Sequence, residues 1–288
     1  MLESFAVTEP LVANVSDTAR WVAHYRAVES ARPDALFRDP LAARVAGARG
    51  AAIAAKAKGP ARNGWFLVAR TKIIDDLIAR SIADGCDLVL NLAAGLDTRP
   101  YRLPLPQSLR WIEADLPALT DEKARLLADQ TPGCVLTREK VDLADDDARR
   151  AFLDRALVGA ERALVLTEGL LPYLDDQIVR GLGRDLAAHE AIRWWMFDVS
   201  SPGVLRMQQR EMAELLANAP MKFAPPDGVA FFEALGFRAL EIESVLHAAG
   251  KFKRLPWLLR LFAKFPAPDP RKLGEHARWT GVVRLERA

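Results

Sequence analysis

Cysteine is scarce in this 288-residue chain. The two that occur, Cys86 and Cys134, stand in no CxxC or CxH spacing, which argues against a disulfide framework and a zinc site and fits a reducing cytoplasm. An excess of charge of one sign is also missing. Lys and Arg number 40 against 38 Asp and Glu, a formal net charge of +2 with the arginines dispersed among acids, so no nucleic-acid partner is expected. No run reaches the roughly 18 uncharged apolar residues of a spanning helix. The opening residues 1–5 lack a basic region followed by an apolar core. The expectation is a cytoplasmic chain, neither exported nor stably inserted in a membrane. No internal repeat or low-complexity tract competes with a globular reading.

What is present is a core-forming composition, 50% hydrophobic and 27% charged, in a length that suits one α/β domain with an extension. Residues 1–63 read as an N-terminal helical extension or cap, with Asp39 placed to cap a helix and Pro40 in its first turn. Residues 64–288 alternate helices and strands. Ile74, Leu77, Ile78 and Ile82 share one face of a helix over 70–82 that stops at Gly85. Strands are expected over 87–92, 109–115, 138–143, 162–167, 193–199, 238–245 and 279–286. A helical stretch precedes each except the last. The pattern predicts an α/β fold: a Rossmann-like, seven-stranded, mostly parallel sheet with helices on both faces and an antiparallel last strand as an edge partner.

The chemistry concentrates where strands end. The run Asp87-Leu88-Val89-Leu90-Asn91-Leu92 reads as a strand covered on both faces, and Ala93-Ala94-Gly95 then forms a turn small enough for backbone amides to approach a ligand. About 20 residues on, Asp115 ends the second strand, where an acid accepts hydrogen bonds from both ribose hydroxyls. Asp142 ends the third, its carboxylate facing the exocyclic amine of an adenine while the Leu143 amide bonds a ring nitrogen. Glu168, after the fourth strand, is placed to receive an ammonium group, with Tyr173 close by. Blander readings stand beside these: an ordinary tight turn at Gly95, and a helix-capping acid at Glu168. The acids Asp145-Asp146-Asp147 read as a helix start rather than a metal site, and no metal is expected.

Taken together, these pieces resemble the leucine carboxyl methyltransferase family of class I S-adenosylmethionine-dependent methyltransferases, including its bacterial polyketide O-methyltransferase-like members. The resemblance rests on Ala27-Val28-Glu29-Ser30, Leu36-Phe37-Arg38-Asp39-Pro40-Leu41-Ala42, Arg70-Thr71-Lys72, Asn91 through Arg99, Glu113-Ala114-Asp115-Leu116-Pro117, Asp142-Leu143, and Thr167 through Tyr173, in family order over about residues 18–200. It implies S-adenosylmethionine as cofactor, S-adenosylhomocysteine as product and a small-molecule methyl acceptor. It also implies that Arg70 forks onto the methionine carboxylate, that Ala93 and Gly95 approach the methionine part, that Asp115 meets the ribose and Asp142 and Leu143 the adenine, and that Glu168 lies near the amino group. Ala93 departs from the pattern, which usually has glycine there.

A carboxylate acceptor needs no general base, whereas a hydroxyl acceptor does. His24, Tyr25, Arg26 and Tyr173 lie near the expected mouth. Tyr25 and Tyr173 are the candidate substrate-binding residues, and no catalytic residue is assigned. The stretch 251–265 mixes cations with large apolar groups and reads as part of an acceptor-site lid, beside a core-packed helix and an interfacial membrane contact. The resulting expectation is an O-methyltransferase acting on a carboxylate or hydroxyl of a small molecule. A protein C-terminal carboxylate is the runner-up acceptor. A nicotinamide-dependent oxidoreductase would carry a fuller GxGxxG turn, and a non-catalytic cofactor-binding protein would keep the fold without the transfer.

Overall fold

In a computed structural model, the structure describes Val12 and residues 15–57 and 62–288; the opening stretch 1–5 lies outside them. Seven strands form one sheet in the order β3-β2-β1-β4-β5-β7-β6. β1 (Leu88–Leu92) and β4 (Ala163–Thr167) are buried at every residue, as strands covered on both faces must be. They pair in parallel at the centre, β2 (Arg110–Asp115) and β3 (Val135–Lys140) continue to one side, and β5 (Ile192–Ser200) begins the other. β7 (Thr280–Arg287) runs antiparallel to both β5 and β6 (Phe237–Ser244). The antiparallel strand is therefore inserted between those two, not an edge partner; the edge belongs to β6. Glycine helps here, since a Cβ at Gly281 would meet the Trp279 ring at 2.4 Å.

Apolar side chains fill both faces of the sheet. One cluster joins Leu90, Val165 and Phe197 to Phe152 of α6 (Asp146–Ala156), Leu182 of α7 (Asp176–Ala188) and Phe232 of α9 (Val229–Glu233). The other joins Val89, Leu164 and Met196 to Ile74, Leu77 and Ile78 of α3 (Trp65–Ala83) and to Ala248 and Ala249 of α10 (Val245–Lys251). The crossover after β1 is a single turn, α4 (Arg99–Arg102), while α5 (Pro117–Leu126) follows β2 and α8 (Pro202–Glu211) follows β5.

The N-terminal helices α1 (Val15–Ser30) and α2 (Ala42–Lys56) pack on this frame. Gly64 lets them seat: it starts α3 at φ +58°, and a Cβ there would lie 2.2 Å from the Tyr25 ring. Asp39 does not cap α2, whose cap position is Leu41. Asp39 Oδ1 accepts the Leu41 amide at 3.2 Å, while Oδ2 accepts from Arg26 Nε at 2.8 Å and Thr98 Oγ1 at 2.6 Å, which ties α1 to the loop after β1.

Two further expectations shift, on the third strand and on residues 251–265, while the helix start at Asp145 holds. β3 ends at Lys140, so Asp142 and Leu143 occupy the turn beyond it. Asp145 caps α6, accepting from the amides of Asp147 and Ala148 at 2.9 and 3.0 Å. Residues 251–265 form neither a core-packed helix nor a wall of the cavity described below; two one-turn 3-10 helices, Trp257–Leu259 and Phe262–Lys264, occupy them. Among the described residues no helix is long and apolar enough to cross a membrane.

Candidate active site

A cavity of about 340 Å³ opens at the carboxyl ends of β1, β2, β4 and β5. It lies where the chain reverses direction across the sheet, β1 neighbouring both β2 and β4, the position at which open α/β sheets bind ligands. α1 closes the opposite side with Thr18, Ala19, Trp21 and Val22.

The loop after β1 forms the floor. Ala93 and Gly95 both adopt positive φ, +54° and +50°. Gly95 donates its amide to Asp115 Oδ2 at 2.6 Å, and the other oxygen of Asp115 accepts the Leu116 amide at 2.7 Å. Burial pushes the Asp115 carboxyl up from its ordinary value, against the opposing pull of those two amides. Ala93 is the one strained point of the loop, since an L side chain costs about 1–2 kcal/mol in the left-handed region. Ala93→Gly should therefore stabilise the protein by roughly 0.5–1 kcal/mol, the relieved strain exceeding the added unfolded-state entropy. Thermal unfolding of the two proteins side by side checks this, and a lower midpoint for the glycine variant would contradict it.

Behind the loop lies a buried network of charge. Arg70 donates from Nε to Glu168 at 3.0 Å and from Nη1 to Asp198 at 2.9 Å. Arg99, 2% exposed, donates to Asp75 at 2.7 Å, to Asp97 at 2.8 Å and to Glu168 at 2.7 Å. Arg102 forks onto Asp75 with two contacts of 2.7 Å. Burial alone would raise the Glu168 carboxyl, but Arg99 and Arg70 outweigh it and hold it below its ordinary value. Asp97 is likewise held low by Arg99, Lys123 and other cations against the opposing effect of burial.

Arg70, Ala93, Gly95, Asp115, Asp142, Leu143, Glu168 and Tyr173 all line this one cavity. Tyr25 does not. Its ring packs against Trp21 and its hydroxyl donates to the Arg62 carbonyl at 2.8 Å, so this candidate substrate residue serves the seat of α1 instead. His24 is also absent from the wall, while Arg26 reaches it with its guanidinium engaged by Asp39 and the Leu96 carbonyl. Tyr173 is half-buried and its hydroxyl bonds Thr18; burial pushes its ionisation above the ordinary tyrosine value.

Three groups at the site had no role assigned from sequence. Asp198 takes Arg70 on one oxygen and the Gly169 amide, at 2.6 Å, on the other. Its signal was available: an acid directly after the apolar run 194–197, near the carboxyl end of β5. Asp97 and Arg99 belong to the quoted loop, but only the folded chain shows that they join it to Glu168 and Asp75.

Comparison with known proteins gives the family. The family model for leucine carboxyl methyltransferase matches residues 19–187. The chain belongs to the leucine carboxyl methyltransferase family. Membership makes it an S-adenosylmethionine-dependent methyltransferase by class. A Frankia alni protein named "Putative S-adenosyl-L-methionine-dependent methyltransferase" is 32% identical over 252 residues, 83% of this chain and 87% of its own. A second Frankia alni protein of the same description is 40% identical over 176 residues, 57% of this chain and 60% of its own. A DUF574 family protein from Streptomyces avermitilis shares the fold, with a TM-score of 0.59 at 14% identity, covering 94% of this chain and 97% of that one.

Proposed function

We propose that this family member methylates a carboxylate on a small, largely apolar acceptor, with S-adenosylmethionine as the methyl donor. The observation that carries the reading is the mixed lining of the cavity. Its charged wall has the Gly95 loop, Asp115, Asp142 and the ion pairs of Glu168. Large apolar side chains, Trp21, Val22, Phe66, Leu170, Met212 and Met221, line it as well, beside the neutral polar groups of Thr18, Ser200, Gln208 and Thr280.

The charged wall fits the cofactor. Gly95 leaves a cradle that a side chain would fill, because a Cβ there would sit 3.2 Å from Ala19. Five carboxylates line the cavity against three arginines, a surplus of negative charge suited to a ligand that carries both an ammonium and a sulfonium. Asp115 has lone pairs left for ribose hydroxyls beyond its two amide contacts. Bound there, the cofactor supplies an activated methyl group, and the protein's task is alignment and exclusion of water.

The bases the wall offers favour a carboxylate acceptor, since all of them are carboxylates, too weakly basic to deprotonate an alcohol efficiently. Every carboxylate lining the cavity already accepts a hydrogen bond: Asp97 from Arg99, Asp115 from Gly95, Asp142 from Ala144, Glu168 from Arg70, Asp198 from Gly169. Among the described residues no histidine or lysine stands in the wall. Tyr173, with its ionisation raised, stays protonated near neutral pH and serves as a donor rather than a base. A carboxylate is nucleophilic at that pH without help.

Labelled methyl transfer to a panel of apolar carboxylic acids and their matched alcohols tests this reading. The expected product is a methyl ester, released as methanol by alkali, formed at a rate nearly flat between about pH 6 and 9. An alkali-stable methyl ether would overturn the carboxylate reading. Failure of calorimetry to detect S-adenosylhomocysteine binding would overturn the donor.

A further inference from the structure

From Glu243 to Asp269 the chain contains no acidic residue, yet it carries Lys251, Lys253, Arg254, Arg260 and Lys264. Within this stretch the side chains divide. Leu255 is buried, and Leu259 and Ala263 pack on the α3 side of the sheet, so the segment is anchored from within. Trp257, Leu258, Leu261, Phe262 and Phe265 point the other way, between 60% and 76% exposed. They are half of the exposed large apolar side chains among the described residues. The other half, Val28, Leu116, Val135, Val158 and Leu240, are scattered along the chain. Isolated exposed apolar groups are normal on soluble proteins; five within nine residues are not.

The segment is held in place. Arg254 bonds Glu29 at 2.8 Å and Asp34 at 3.1 Å, which ties it to α1 and the loop after it. The Phe265 carbonyl lies 2.8 Å from Nε2 of His247, whose Nδ1 bonds Ser244 Oγ at 2.9 Å. Lys251, Lys253, Arg260 and Lys264 are exposed and form no ion pair among the described residues. Arg260 donates Nε to the Leu255 carbonyl at 3.3 Å, and no carboxylate among the described residues neutralises any of the four.

We propose that the outer face of residues 251–265 docks this enzyme on the surface of an anionic lipid bilayer. Indole, phenyl and leucyl groups enter the headgroup boundary, while lysine and arginine pair with lipid phosphates, the composition that holds a protein in a membrane interface without spanning it. Charge complementarity selects this occupant. A second copy related by a twofold axis would set this acid-free basic face against itself, which opposes self-association. The absence of these residues from the cavity wall frees them from the acceptor site, so the surface is separate from the catalytic reading.

Co-sedimentation of the full chain with vesicles of phosphatidylcholine, with and without phosphatidylglycerol, tests it. Binding is expected on the anionic vesicles and not on the neutral ones, weakening as salt rises. A variant carrying Trp257→Ser and Phe262→Ser, and another carrying Lys251→Gln, Lys253→Gln and Lys264→Gln, should each lose about tenfold or more in lipid affinity. Both should keep the wild-type unfolding midpoint and S-adenosylhomocysteine affinity. The proposal fails if the anionic vesicles bind nothing at low salt, or if neither variant weakens binding. It also fails if sedimentation velocity without lipid shows a dimer that the Trp257→Ser, Phe262→Ser variant dissolves, since the face would then belong to a second copy.

Discussion

Replacing Arg99 by Met should destabilise the protein by about 3–5 kcal/mol and lower its thermal midpoint by roughly 10 °C. Arg99 is almost wholly buried and is the single cation that touches Asp75, Asp97 and Glu168 together. A methionine fills much of its volume but leaves three carboxylates with less compensation. Arg102 still forks onto Asp75 and Arg70 still holds one oxygen of Glu168, so Asp97 bears the largest loss. Arg99→Lys should recover only part of the difference, because one ammonium lacks the planar fork that reaches three acids at once. Differential scanning calorimetry of the three proteins gives the comparison. A midpoint for Arg99→Met within a degree or two of wild type would show that the buried charge network contributes little net stability.

The legibility of this chain follows the same physics. β1 and β4 are continuous apolar runs because helices cover both faces, and such runs mark themselves in sequence. The loop after β1 and the acid Asp115 are legible because backbone approach needs small residues and ribose needs an acceptor. β3 was harder. It is the outer strand on its side of the sheet, it carries Arg138, Glu139 and Lys140, and only Val141 and Leu143 beyond its end are well buried. Those two apolar residues drew the expected strand three positions along the chain. The insertion of β7 between β5 and β6 depends on pairing between distant segments, which no local pattern encodes. Tyr25 shares α1 with the cavity-lining Thr18, Trp21 and Val22, yet faces Gly64 rather than the ligand space. Helical spacing alone did not tell these faces apart. Ala93 carries the lesson in reverse. The family's usual glycine suits a backbone that the fold holds at φ +54°, and this chain keeps that backbone with alanine.

Gly95→Val should lower S-adenosylhomocysteine affinity by about a hundredfold or more. Three consequences act together. The backbone at Gly95 lies at φ +50°, a region that a β-branched residue avoids. A Cβ would already press on Ala19 at 3.2 Å, so the two γ-methyl groups of valine must push α1 outward or swing into the cavity. Either shift moves the amide that fixes Asp115 at 2.6 Å, and with it the acceptor for ribose. Strain alone would cost stability without touching the ligand, so the control is Gly85→Val. Gly85 also has positive φ, +91°, but a Cβ there meets only the flexible Arg162 side chain at 3.6 Å, far from the cavity wall. Both variants should unfold at lower temperature than wild type, and only Gly95→Val should lose the ligand in isothermal titration. Equal losses of affinity would mean that backbone strain is felt throughout the fold. Unchanged affinity at Gly95→Val would remove this loop from the cofactor site, and with it the strongest local argument for where S-adenosylmethionine binds.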